Sequence, residues 1–266
     1  MHTRKQRRSL RWRWPLTVAI IGMVGFSACK QDEYYTDGGL ANPYFDGSIM
    51  AYLDAHPRQL DTIAQIVRLA GLEDVFEQEA FTFFSPQDED IKQLIGAVNY
   101  QGEDPSLTSQ NGANPQLYRL GLDTIQTLAD IDSALWRKYL QRHMFHGRKL
   151  LKDYPQVDFD VINTFGGENY FSFSNTVSNI GVVFNDAVTG SGANETRLKY
   201  MGYRQLHISY IRNISDPDPA DWNPQKVASS DIQPSNGVVH VLDFTSGDGF
   251  GFSQYEVIAD IIQSKR

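Results

Sequence analysis

Apolar residues recur at helical spacing in the first part of the mature chain and alternate with polar ones in the second. From Asp46 the spacing predicts a short helix: Asp46 or Ser48 can cap it, and Ile49, Met50 and Leu53 form a stripe before Pro57 restarts the chain. Leu60, Ile63, Val67 and Ala70 predict a second helix, with Gly71 in place as its stop. The aromatic run Phe81 to Phe84 predicts a strand ended by Ser85-Pro86, after which Asp88 is placed to cap a helix carrying Ile91, Leu94 and Ile95. The stretch 99–120 is rich in Gly, Asn, Ser and Pro and reads as a surface insertion. Asp132 to Phe145 returns to helical spacing, with Leu135, Trp136, Tyr139, Leu140 and His143 on one side. Beyond Val157 alternation predicts short strands around Phe159 and Val161, Tyr170 to Phe173, Val182 to Phe184, and Leu206 to Tyr210, separated by Gly-Gly, Asn-Asp and Gly-Ser-Gly turns.

The N-terminal pattern is of another kind. Arg4, Lys5, Arg7, Arg8, Arg11 and Arg13 are followed by an apolar run from Pro15 to Ala28, the layout of a secretion signal. That run is shorter than the roughly 20 residues a spanning helix needs. Ser27-Ala28 before the only cysteine, Cys29, resembles the bacterial lipobox, so residues 1–28 are expected to be removed and Cys29 to carry the lipid. A lipoprotein cysteine bears two or three chains, which satisfies the need for more than one acyl chain in stable anchoring. Lys30-Gln31-Asp32-Glu33 resembles the acid-rich surface-export signal of Bacteroidetes lipoproteins, interrupted by Gln31. The expected location is the outer membrane, lipid-anchored and facing the cell exterior, with residues 29–44 as a tether.

Charge narrows the partners. Residues 1–28 hold 6 of the 24 Lys and Arg and none of the 32 Asp and Glu, so the mature chain carries 18 − 32 = −14. Such a surface disfavours nucleic acid and anionic membranes as partners. No repeat of fixed period points to a solenoid. There is no Gly-x-Ser-x-Gly elbow, no thiol other than Cys29 and no Gly-rich phosphate loop, so neither an enzyme nor a cofactor is expected. His143 and His146, three apart on the expected helix, would share a face, but without further ligands no metal is expected.

Three separated segments carry a family likeness. Phe81-Thr-Phe-Phe-Ser-Pro-Gln-Asp-Glu-Asp90 resembles the first block of the fasciclin domain, including Thr82, Pro86 and Asp88. Leu140-Gln-Arg-His-Met-Phe-His-Gly147 is similar to its central histidine segment, with His143 as the histidine. Val227 to Asp243, ending in Asn236-Gly-Val-Val-His-Val-Leu-Asp243, resembles the second block with Asn236, Gly237, His240 and Asp243. The resemblance implies an α+β fold, a fasciclin-like wedge-shaped β-sandwich with a helical layer. It spans 45–244, enlarged by insertions near 99–120 and 212–226, with 245–266 as a C-terminal extension of a turn or strand and a helix. The family's tyrosine before the histidine is Arg142 here, which speaks against integrin-type contact.

Asn236-Gly237 reads as a turn, and His240 and Asp243 as side chains that fix it by hydrogen bonds. For binding, Trp222 lies in Asp216-Pro-Asp-Pro-Ala-Asp-Trp-Asn-Pro224, a stretch not expected to form a regular element, so its ring is either tucked under the loop or presented outward. Two functions follow from the resemblance and from Trp222. One is a non-catalytic surface binding module for a glycan or protein ligand, accessory to an outer-membrane transporter complex for glycan uptake. The other is a structural or adhesion module that contacts other proteins or matrix.

Overall fold

In the computed structural model, residues 42–98, 100, 102, 112–215, 217–245 and 249–266 are described. The signal segment, Cys29 and the export signal lie outside the described residues.

Alternation in two strands decides how the layers meet. β1 (Phe81–Ser85) pairs in parallel with β9 (Gly237–Leu242), and every residue of both is buried. Because side chains alternate along a strand, Phe81, Phe83, Val239 and Val241 enter a large core shared with the helices. Phe84 and Leu242 enter a smaller one with Phe145, Ile180, Leu206 and Val227. The remaining strands of the sheet are β2 (Met144–His146), β3 (Glu168–Phe171), β4 (Val177–Phe184), β7 (Arg204–Ile211) and β8 (Gln225–Ile232), in the order β2-β1-β9-β8-β7-β4-β3. All neighbours other than β1 and β9 are antiparallel. A bridge between Phe145 and Ser172, with Phe173 N donating to Met144 O at 2.9 Å, brings the two edges together. The sheet therefore curls around the small core and hides edges that would otherwise pair with other chains. β5 (Ala187–Thr189) and β6 (Thr196–Leu198) form a separate hairpin.

The helical layer is α1 (Ile49–Ala55), α2 (Asp61–Leu69), α3 (Glu73–Gln78), α4 (Asp88–Ile95), α5 (Ala113–Arg119), α6 (Ser133–Gln141) and α7 (Gln254–Ser264). Ser48 caps α1 by accepting from Ala51 N. The α+β class expected from the sequence is the class observed.

Five local expectations need correction. Asp88 does not cap its own helix; Gln87 holds that position, and the Asp88 carboxylate accepts from Asp61 N, Thr62 N and Ile63 N at 3.0 to 3.3 Å, capping α2 instead. The region 99–120 contains α5, held by buried Asn114, whose amide bridges Ala97 O, Ile125 O and Ile125 N. The helix expected to run to Phe145 stops at Gln141, since Met144 to His146 pair with β1. His143 and His146 thus share no helix face. Phe159 and Val161 sit in turns, both 38% exposed, because Val161 N and Phe165 N bond within the loop or to its base and not to a neighbouring strand. The Pro-rich stretch before Trp222 is partly regular: Pro219–Asp221 is a 3-10 turn capped by Asp218.

The extension 249–266 is built into the large core. Phe250 and Phe252 are buried there with Val257, Ile258 and Ile261. No helix of the described residues is long and apolar enough to cross a membrane.

Candidate functional site

Most residues that carry the family likeness touch backbone. Asn236 Oδ1 accepts from Ile49 N at 2.8 Å, and its Nδ2 donates to Phe76 O and Glu79 O, each at 3.0 Å. Gly237 lies so close to β1 that a Cβ would stand 2.4 Å from Phe81 O, which only glycine permits. His240 is fully buried; its Nδ1 accepts from Asp231 N at 3.2 Å and its Nε2 faces Lys149 O at 3.0 Å. Those partners require the proton on Nε2. They also hold Asp231 at φ 63°, a left-handed conformation in a β-bulge. Burial pushes His240 down to about 4 and His143 down to about 3. Thr82 Oγ1 donates to Gly147 O and accepts from Lys149 N. Buried Pro86 follows β1 and takes a bond from Ser85 Oγ on its carbonyl. Asp243 Oδ1 accepts from Thr245 N and Oγ1, turning the chain after β9.

Arg142, directly before His143, is 5% exposed. Its guanidinium pairs with Glu256 of α7 at 2.7 and 3.1 Å and lies over the rings of Tyr139, Tyr210 and Phe252. The group holds the extension to the domain and offers no contact surface. His143 beside it is buried against Phe250 and Phe252, and His146 stacks on Phe173 at 4.2 Å. Among the described residues no group of three or more His, Cys, Asp or Glu side chains converges as a metal site.

Trp222 is placed differently. It follows the 3-10 turn and packs into neither core. The ring is partly buried, its Nε1 is shielded from solvent, and that nitrogen meets no acceptor among the described residues. The ring is thus neither fully tucked under the loop nor fully presented. It lines a hollow of about 270 Å³ with Arg212, Asn213, Pro217, Asp218 and Asp221. It also lines a second hollow of about 290 Å³ with Asn163, Glu168, Asn169, Asn179, Gly166 and Gly167. Asn179 Nδ2 donates to Gly166 O and Asn169 Oδ1, both at 2.9 Å, which fixes the floor of the second hollow. Gly167 at φ 64° completes it, because a Cβ there would lie 2.6 Å from Asn179 Oδ1.

Three other spaces lie away from Trp222. The widest, about 680 Å³, is a groove between α5 and α7 walled by Gln116, Leu120, Tyr255, Ala259, Ile262 and Gln263. A space of about 30 Å³ among Ile63, Leu94, Trp136 and Phe252 exposes only apolar surface and adjoins the large core. A hollow of about 310 Å³ beside the β5–β6 hairpin is polar, but its groups bond one another. Arg197 pairs with Asp186 and Glu195, and Tyr200 Oη donates to Asp158 at 2.7 Å.

Sequence reading singled out Trp222 but not its neighbours. Asn163, Glu168 and Asn169 lie more than 50 positions away and reach the ring through the pairing of β3 with β4 and β4 with β7. Three exposed polar residues beside a Gly-Gly turn were the only signal they left.

No family model matches the chain, and no curated protein matches it. Among solved structures it is similar to a FAS1 domain pair from the insect cell adhesion molecule Fasciclin I, at 15% identity and a TM-score of 0.45, over 79% of this chain and 52% of that one. This chain thus spans about half the length of that structure.

Proposed function

We propose that this chain is a fasciclin-like, non-catalytic interaction module, carried on the outer membrane by a lipid on Cys29, and that it meets its ligand at Trp222. The observation that carries the reading is the contrast just described. The family-like residues are occupied with backbone or core, whereas Trp222 stands outside both cores and lines two polar hollows. Loops on a rigid scaffold are where recognition concentrates. Ligand capture for an outer-membrane glycan-uptake complex fits this arrangement, and no step requires a catalytic group or cofactor.

Adhesion to protein or matrix is the second reading. It is favoured by the apolar surface around the β5–β6 hairpin, where Val188, Leu198, Met201 and Tyr203 are 49 to 70% exposed.

Trp222→Ala separates function from stability. Binding of the partner should weaken by about 1 to 3 kcal/mol, as for other aromatic anchors, while the melting temperature stays put. Titration calorimetry beside thermal melting checks both. Lost stability with unchanged affinity would assign the ring to loop packing.

A further inference from the structure

We infer that the Trp222 site takes a neutral, extended oligosaccharide, with sugar units in both hollows and Trp222 as the wall they share. The inference rests on the reading of Trp222 as the ligand site and names what fills it. Size argues first. Hollows of about 270 and 290 Å³ each lie at or just below the lower end of ligand pockets, roughly 300 to 1,000 Å³. Both are walled by Trp222 and Pro217. Two adjoining small spaces with one shared wall fit a ligand made of repeated small units better than one bulky molecule.

The lining argues second. Asn163, Asn169 and Asn213 place amides in the lining, and sugar hydroxyls can meet amide donors as well as acceptors. Asn213 Oδ1 already accepts from Ser215 N at 3.1 Å, which leaves its –NH₂ as donor. Asn169 Oδ1 is engaged by Asn179 Nδ2, so the Asn169 amide is turned to present its –NH₂ as donor. Because the indole nitrogen is shielded, the accessible part of Trp222 is hydrocarbon, a surface for C–H faces of a sugar ring and not for a hydrogen bond. The 3-10 turn with proline at its start and the fixed Asn179 floor hold the two sides in place before binding, which lowers the ordering cost.

Charge sets the class. Glu168, Asp218 and Asp221 outnumber Arg212, so the site is net negative on a strongly acidic protein. Uronate and sulfated chains would meet like charge.

The test uses the detergent-solubilised full-length lipoprotein and three probes: neutral gluco- and manno-oligosaccharides of one to six units, oligogalacturonates of the same lengths, and a protein-partner search by cross-linking in intact cells. Affinity for at least one neutral series should rise tenfold or more from one unit to three and then level off, with oligogalacturonates at least tenfold weaker. Asn169→Ala and Asn213→Ala, which line different hollows, should each cut affinity for the trimer about three- to tenfold and leave monosaccharide binding unequal between the two hollows. Trp222→Ala should abolish the length dependence. No binding of any neutral series, a preference for oligogalacturonate, or no gain from one unit to three would overturn the inference. If sugars fail but a cross-linked protein is lost in Trp222→Ala, the site stands and the ligand class falls; if that variant changes neither, the site itself falls.

Discussion

Asn236→Ala tests whether the family-like residues serve the fold. One side chain ties three backbone groups from α1, α3 and the turn beyond α3 to the start of β9. Ile49 and Phe76 are fully buried, so alanine would leave the Ile49 N–H and the Phe76 C=O without partners, whereas Glu79 is exposed and water can replace its bond. The Ile49 N–H is also a first-turn helix donor with no partner inside α1. A buried group left unpaired costs about 1 to 3 kcal/mol, so two of them give about 2 to 6 kcal/mol. For a domain of this size each kcal/mol moves the midpoint by about 2 to 4 °C, which sets the expected fall at about 4 to 24 °C. Asn236→Asp keeps the acceptor for Ile49 N and loses both donations, so it should fall between wild type and alanine. Thermal melting followed by circular dichroism reads both variants, with ligand affinity measured at 25 °C as the control. A midpoint within about 1 °C of wild type, or a loss of affinity without a loss of stability, would refute the reasoning and make Asn236 a recognition residue.

Two further outcomes are expected. Cys29→Ser should abolish incorporation of a labelled fatty acid and leave the signal uncleaved, and equal labelling of the variant would end the lipoprotein reading. Burial raises Asp90 to about 7, so its stabilising contribution is full below about pH 4 and is lost as the pH rises through about 7. Wild type should accordingly gain on Asp90→Asn between pH 7.5 and 4.5 by roughly 1 to 4 kcal/mol. Parallel stability curves in urea would contradict this. His143, His207 and His240, depressed by burial to about 3, 4 and 4, have the opposite sign in both proteins. Their contribution is full above about pH 6.5 and is lost as the pH falls through those values, so it cancels in the comparison.

What the sequence made legible is what local pattern controls. The stripe at Ile63, Val67 and Ala70, the stop at Gly71 and the strand from Phe81 all appear where spacing puts them. What it hid depends on distant partners. Asp88 has the position of a cap, and which helix it caps is settled 25 to 27 residues earlier. Nothing local separates Met144 and Phe145 from the helix before them; their pairing with Phe83 and Thr82 does. α5 was hidden because Asn114, a poor helix former on its own, gains three bonds to two other segments. The same limit applies to the site. A tryptophan among prolines and aspartates stands out in a sequence, but the asparagines that flank it belong to a turn that only the sheet brings near.

The C-terminal extension is tied to α6 by charge and by packing. Arg142 is charged and almost fully buried, a state that is costly unless the charge is paired. Its partner Glu256 comes from α7, as does Asp260, which binds Lys138 Nζ at 2.6 Å and Tyr139 Oη at 2.8 Å. Phe250 and Phe252 fill the space beneath, and Tyr210 N donates to Gly251 O at 2.8 Å. The extension thus supplies both the counter-charge and the apolar cover for α6, and α6 leads directly into β2, the strand beside β1. Trp222 draws on none of these groups. On the proposed reading, the groups that anchor the extension and those that line the ligand site are thus different residues.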